Sequence, residues 1–307
     1  MLGCAALGPA VASADQSLAK QAQNPVADLI SLPLQNNTNF GLGPDDRTQN
    51  ILNVQPVWPI ALNEDWNLIT RTILPVVSQP LPDGDRKNGL GDTSFTAFLS
   101  PSAASNLTWG VGPVVLVPTS TDDALGNGEW GGGLSAVVLT MPGNWVVGSL
   151  FSNVWAPKGD AARNKVNLFT WQYFINYNIP DGDGLYLVSA PIITADWEAD
   201  SSDRWTVPFG GGVGKIFRIG QQPVNAQISA YYNVEKPDFG PDWQLRTQIQ
   251  FLFPKEPARD RAALAGAPPG EAISAPPGRP VSEYSGLDCV RSQRSRLPGR
   301  RAALEGQ

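Results

Sequence analysis

Trp243-Gln244-Leu245-Arg246-Thr247-Gln248-Ile249-Gln250-Phe251-Leu252-Phe253 closes the ordered part of the chain and carries its clearest pattern. In an extended chain successive side chains point to opposite faces. Trp243, Leu245, Thr247, Ile249, Phe251 and Phe253 then share one face, and Gln244, Arg246, Gln248 and Gln250 the other. The same period of two recurs just upstream at 223–236. There Val224, Ala226, Ile228, Ala230, Tyr232 and Val234 oppose Asn225, Gln227, Ser229, Tyr231 and Asn233. At 164–178, Phe169, Trp171, Tyr173, Ile175 and Tyr177 oppose Thr170, Gln172, Asn176 and Asn178. Alternation of this kind marks a strand with one apolar face.

Working outward, residues 29–253 divide into about twelve such segments separated by turn residues. They fall near 29–40, 49–60, 66–77, 92–100, 107–118, 129–140, 145–155, 164–178, 184–198, 204–218, 223–236 and 242–253. Helical periodicity is absent apart from a possible short turn around Ser17 to Gln23. So many half-apolar strands demand a large apolar sink, either a protein core or lipid. A membrane helix is excluded: mean hydropathy is −0.17, and no apolar run approaches the roughly 18 residues a span needs.

Loop lengths and tryptophans favour lipid. Connections at 61–65, 101–106, 141–144, 179–183 and 219–222 are tight. Those at 41–48, 78–91, 119–128 and 156–163 are longer and polar, and those at 199–203 and 237–241 are shorter but charged. Tight turns on one rim and longer loops on the other are the pattern of outer-membrane barrels. Trp58, Trp66, Trp109 and Trp145 flank the tight turns, and Trp130, Trp155, Trp197, Trp205 and Trp243 fall at the loop ends; only Trp171 is central. Amphipathic rings at both strand ends fit two interfacial girdles. The expectation is an all-β, transmembrane, antiparallel up-and-down β-barrel of about twelve strands. An even strand count puts both termini on one side, the periplasmic one for a barrel of the bacterial outer membrane. Prolines 56, 75, 113, 191 and 208 interrupt these segments, and bulges there would shift the faces by one residue.

Four regions follow. Residues 1–14 end in Ala12-Ser13-Ala14, a cleavage-site pattern without the basic stretch a signal peptide usually carries, so they read as a signal-peptide remnant or as an apolar start without structure. Residues 15–28 form a periplasmic N-terminal segment, and 29–255 the barrel. Residues 256–307 hold eight arginines, six acidic residues and one aromatic, Tyr284. They bury too little to offset ordering entropy and read as a disordered extension. Residues 1–255 then hold 14 basic and 22 acidic residues, a net charge of −8 that argues against nucleic acid as a partner. Cys4 and Cys289 lie outside the barrel, so no structural disulfide is implied.

The chain resembles the outer-membrane family named for the MetA pathway of phenol degradation. The matching stretches are Asn24-Pro25-Val26-Ala27-Asp28-Leu29-Ile30-Ser31-Leu32-Pro33-Leu34-Gln35-Asn36-Asn37, then Gly89-Leu90-Gly91-Asp92-Thr93-Ser94-Phe95, then Leu245 to Phe253. The likeness spans about residues 20 to 255. It implies an outer-membrane location and a role in transport, with phenol suggested by the family name alone. Such barrels ordinarily end at the last aromatic strand, so the tail after Pro254 departs from the pattern.

The polar faces supply the candidate site. Gln35, Asn37, Asn39, Asn53, Gln55, Gln172, Asn176, Asn225, Gln227, Asn233, Gln244, Gln248 and Gln250 would point inward, with Arg71 and Arg246 adding positive charge. Amides hydrogen-bond hydroxyls and aromatic alcohols without demanding a charged solute. The same amides could instead satisfy one another in a closed core, and the arginines could pair with Asp92, Glu129 or another inward acid. Barrels of about eight strands are filled by side chains and those of about sixteen enclose water, so about twelve allows a slender lumen or a plugged one.

Enzymatic chemistry finds little support. There is no histidine to activate a serine nucleophile and no G-x-S-x-G. Pro-Asp-Gly-Asp at 82–85 and 180–183 reads as turn chemistry, since neither has the ligand count of a calcium loop. Gly210-Gly211-Gly212-Val213-Gly214-Lys215 fails as a phosphate loop, because Phe209 stands at the first glycine position and Ile216 at the hydroxyl position. No catalytic residue, metal or cofactor is expected. The expected partners are outer-membrane lipid and a small-molecule solute. The function expected is a channel or transporter-like barrel for small, mainly uncharged molecules, aromatic ones included. The alternative is a plugged structural barrel, or one that binds a partner through its loops without transport.

Overall fold

The computed structural model describes residues 17–103, 105–156 and 165–254. The start at 1–14, Cys4, Cys289 and the extension at 256–307 lie outside the described residues.

Twelve spans run up and down. They are β1 (Ile30–Leu42), β2 (Arg47–Val54, resuming as Val57–Ala61), β3 (Trp66–Pro80), β4 (Arg86–Leu90, resuming as Thr93–Pro101), β5 (Leu107–Val117) and β6 (Gly131–Thr140). The second half is β7 (Trp145–Ala156), β8 (Val166–Asn178), β9 (Leu185–Ser189, resuming as Ile192–Asp196), β10 (Trp205–Ile219), β11 (Gln222–Glu235) and β12 (Trp243–Phe253). Each span pairs antiparallel with its neighbours in sequence, and β1 closes the ring against β12 from Ile30↔Phe253 to Phe40↔Trp243. A closed ring leaves no edge strand, so every backbone group of the wall can be bonded within the wall. The barrel expected from the alternation is therefore present, with the number of spans that the sequence implies.

The prolines sit where the ladder is interrupted. Pro56 and Pro191 occupy the breaks within β2 and β9, and Pro208 lies at a bulge of β10 against β11. A proline has no N–H to give to the ladder, which confines it to such places. In β2 the register against β3 is the same before and after the break, so the inward face is preserved. Backbone bonds continue across the break: the Gln55 N–H donates to the Pro33 carbonyl at 2.9 Å, and that of Thr72 to the Pro56 carbonyl at 3.1 Å.

The outer face is apolar between two aromatic bands. Near the tight turns Trp66 meets Trp109 edge-on at 6.0 Å, and Trp145 meets Tyr177 at 4.6 Å. At the loop rim Phe40 stacks on Trp243 at 4.2 Å, and Trp197 meets Trp205 at 5.7 Å. Between the bands Leu134, Val138, Phe151, Leu187, Val213, Ile228 and Ile249 are exposed. A soluble protein does not leave so broad an apolar belt uncovered.

The loops are shorter than the sequence suggests on one side of the ring. β1 and β2 meet across a turn at 43–46, and the β3–β4 hairpin runs on to Pro80↔Arg86, so much of 41–48 and 78–91 is strand. The connection at 118–130 is the long one among those wholly described. It is tied down by Asp92, whose carboxylate accepts the backbone N–H groups of Ser120, Asn127 and Gly128 at 3.1, 2.6 and 2.9 Å.

The stable closed ring has a direct signature. We expect unheated protein to migrate on a detergent gel at a position different from boiled protein. Identical mobility would contradict a barrel that resists detergent.

Candidate functional site

Residues 17–28 enter the barrel rather than lying below it. A short helix at 17–22 leads through a turn into β1. Ala19 and Val26 are buried in the same cluster as Ile69, Phe98, Val137, Leu139, Val146 and Phe174 of the inner wall. Leu18, Ala27 and Leu29 pack with Leu252 of the last span. Gln23 and Asn178 exchange amide hydrogen bonds, at 2.9 Å from Gln23 and 3.2 Å from Asn178, and the Lys20 ammonium donates to the Gly143 carbonyl. These partners lie at the tight-turn end, so the segment occupies that mouth. Burying Val26 and Leu29 stabilises the seated segment by about 1.5–3 kcal/mol each.

Above it the wall presents the amides. Ladder partners share a face, and Gln35 stands opposite Asn53 and Gln248, Asn37 opposite Arg246, Asn39 opposite Gln244, Asn225 opposite Gln250, and Gln227 opposite Gln248. Asn233 is buried two residues beyond Tyr231 on β11, Asn176 and Gln172 share the inner face of β8 with Phe174, and Gln55 and Arg71 line the lumen. The candidate residues are thus brought together on the inner wall.

Many of them bond to one another. Gln244 donates to Asn39 at 2.9 Å, Asn39 to Gln49 at 2.6 Å, and Gln49 in turn to Gln79. Asn225 donates to Gln250 at 3.0 Å and accepts from the Tyr186 hydroxyl at 2.8 Å. Each nitrogen of Arg246 has an acceptor: Nε donates to Asn37 at 3.0 Å, Nη1 to the Ala190 carbonyl at 2.8 Å and Nη2 to Gln244 at 3.0 Å, with the Tyr231 ring 4.9 Å from the guanidinium. Arg71 has one partner, Gln55, which accepts from Nη2 at 2.6 Å. Among the described residues no carboxylate pairs with either arginine; Asp92, the acid nearest to hand in the sequence reading, is spent on the 118–130 loop.

Between the seated segment and this wall lies a cavity of about 150 Å³. Its lining mixes the polar Gln35, Gln55, Arg71, Gln172, Asn176, Gln248 and Gln250 with the apolar Leu29, Val57, Phe174 and Val188. Two features of the lumen were not among the sequence candidates. One is the N-terminal segment itself. The other is Tyr186, at 1% exposure, whose ring lies over Gly214: a Cβ there would stand 2.2 Å from the ring's Cζ.

The wall is thinnest between β9 and β10. Backbone pairs join Leu185–Val188 to Gly212–Lys215 and Thr194–Ala195 to Trp205–Thr206, with none between. Side chains fill in: Ser189 Oγ donates to the Gly210 carbonyl at 2.7 Å, and the Tyr231 hydroxyl accepts the Ala190 N–H at 3.2 Å. At the rims, the backbone N–H of Ala124 and then the Lys87 ammonium hold the Asp122 carboxyl below its usual value; Lys215 does the same for Asp183.

A closed ring of twelve antiparallel spans, apolar outside, polar within and banded by aromatic residues, defines a transmembrane β-barrel of the bacterial outer membrane. The chain belongs to the family described as "Putative MetA-pathway of phenol degradation", which matches residues 35–257. No curated protein matches the chain. Among solved structures it is similar to an outer membrane channel from Pseudomonas putida F1, with 18% identity over 73% of this chain and 94% of that one and a TM-score of 0.57. It is also similar to the NanC porin, at 10% identity over 73% of this chain and 100% of that one with a TM-score of 0.49. A third similarity is to the CymD monoaromatic hydrocarbon channel, at 9% identity over 82% of this chain and 94% of that one with a TM-score of 0.42. At these identities the likeness speaks for the fold.

Proposed function

We propose that this chain is an outer-membrane channel for small, mainly uncharged molecules, single-ring aromatic ones among them, with both ends of the barrel chain on the periplasmic side. The observation that carries the reading is the cavity of about 150 Å³ left between the seated N-terminal segment and an amide-rich wall. A cavity with a polar lining holds water, or a solute with hydrogen-bonding groups in its place. Amides offer both donors and acceptors, so a hydroxyl or carbonyl of either orientation finds a partner. The N-terminal segment would then be the element whose shift admits solute at the periplasmic mouth.

A second reading is favoured by the unpaired stretch of wall between β9 and β10. There a solute could leave sideways into lipid, because few backbone bonds stand in its way. The two routes differ in what ions can follow.

The test is single-channel conductance of the mature chain in a planar bilayer. Discrete steps that solutes such as phenol block support a route along the barrel axis. A folded barrel with no conductance sinks that route, and leaves lateral release or a plugged, loop-binding barrel.

A further inference from the structure

The interior of the barrel holds two guanidiniums whose recorded partners include no acid. Both carry the same charge within one ring. A guanidinium inside a barrel without a counter-charge is ordinarily matched by an acid, a dense set of acceptors, a bound ion or water. Arg246 has the acceptors: Asn37, Gln244 and the Ala190 carbonyl, with an aromatic face beside it. Arg71 does not. Its one recorded acceptor is Gln55, whereas a guanidinium carries five N–H groups in a planar fork suited to a carboxylate. Its remaining nitrogens are not sealed in protein, because Arg71 lines the cavity.

The cavity fits a ligand of limited size. One of about 150 Å³ holds a single benzene-sized molecule. Among the polar groups, Val57, Phe174 and Val188 also line the cavity and give an uncharged body somewhere to rest.

We propose that the cavity beside Arg71 is a binding site for a small monocarboxylate, its carboxylate paired with the Arg71 guanidinium and its uncharged body held by the rest of the wall. This adds a charged solute to the mainly uncharged ones of the channel reading, and rests on that reading for passage, though not for binding. A neutral alcohol of the same shape lacks the charge that Arg71 is placed to meet. A cation is repelled by both arginines.

The experiment is titration calorimetry of the folded full chain in detergent with sodium benzoate, against benzyl alcohol and benzylamine at matched ionic strength. We expect saturable benzoate binding, with benzyl alcohol weaker by about tenfold or more, the worth of a charge-assisted hydrogen bond. Arg71→Gln should abolish the preference, and Arg71→Lys should keep part of it, with the heat-dependent gel shift showing that each variant is folded. The proposal is overturned by absent or non-saturable heat, by equal binding of benzyl alcohol, by an unchanged preference in Arg71→Gln, or by inorganic phosphate competing as well as benzoate. Conductance is recorded on the same preparation. Benzoate binding without conductance would sink the channel reading and keep the site, and conductance without benzoate binding would do the reverse.

Discussion

Removing residues 17–28 should raise single-channel conductance several-fold while leaving a barrel that still shifts on heating. No ladder pair of the ring involves a residue before Ile30, so the wall closes without the segment. What the segment supplies is obstruction at the tight-turn mouth, held by the burial of Ala19 and Val26 and by the Gln23–Asn178 amide pair. A milder version replaces Gln23 and Asn178 with cysteine, in a background where Cys4 and Cys289 are serine. A short thiol-reactive bridge between the two should hold conductance at its low level, and reduction of the bridge should release it. An unchanged conductance after deletion would mean that the constriction lies elsewhere, in the amide network or under the 118–130 loop.

Gly214→Val should lower the urea concentration at which the barrel unfolds, and adding Tyr186→Ala should cost less than it does alone. A Cβ at position 214 would stand 2.2 Å from Cζ and 2.3 Å from the hydroxyl of Tyr186, below any real contact. The ring cannot simply swing aside, because its hydroxyl is bonded to Asn225 and its surface is almost wholly buried. Overpacking of this kind costs about 1–3 kcal/mol or more. Tyr186→Ala alone leaves a hole and should cost about 3–5 kcal/mol, by analogy with other aromatic truncations. In the double variant the two errors occupy the same space, so their effects should fall well short of the sum. Urea unfolding in detergent micelles measures all three. Strict additivity would show that the glycine and the tyrosine do not share that space.

The wall was legible in the sequence and its filling was not, for a physical reason. Period-two alternation is local: Trp243 to Phe253 or Val224 to Val234 declare their two faces without reference to any partner. The tight turns, the aromatic bands and the inward amides follow from the same local bookkeeping. Even the prolines could be placed, since a residue without an N–H belongs at a break; what could not be foreseen is that the β2 register continues across its break unchanged. Residues 15–28 were readable only as something ahead of the barrel. Leu18, Ala19, Val26 and Leu29 show no strand period, and their burial depends on the diameter of a ring assembled from residues far away in the chain. The fate of the arginines is non-local in the same way. Nothing in the neighbourhood of Arg246 announces the Ala190 carbonyl, which lies at the break in β9 beside Pro191 and accepts from Gln172 as well.

The seam between β1 and β12 sets a timetable for assembly. It joins residues more than two hundred positions apart, from Ile30 with Phe253 to Phe40 with Trp243, and contacts so distant in sequence form late because the chain between them must first be gathered. Arg246 to Asn37 and Gln244 to Asn39 cross that seam. A barrel caught before closure has therefore a free strand at each end, an Arg246 without its Asn37 acceptor and an N-terminal segment with no mouth to occupy. Closure supplies all three at one stroke. The last step of folding is thus also the step that creates the interior, and a quality-control protease that recognises open edges would remove only molecules that have no lumen to offer.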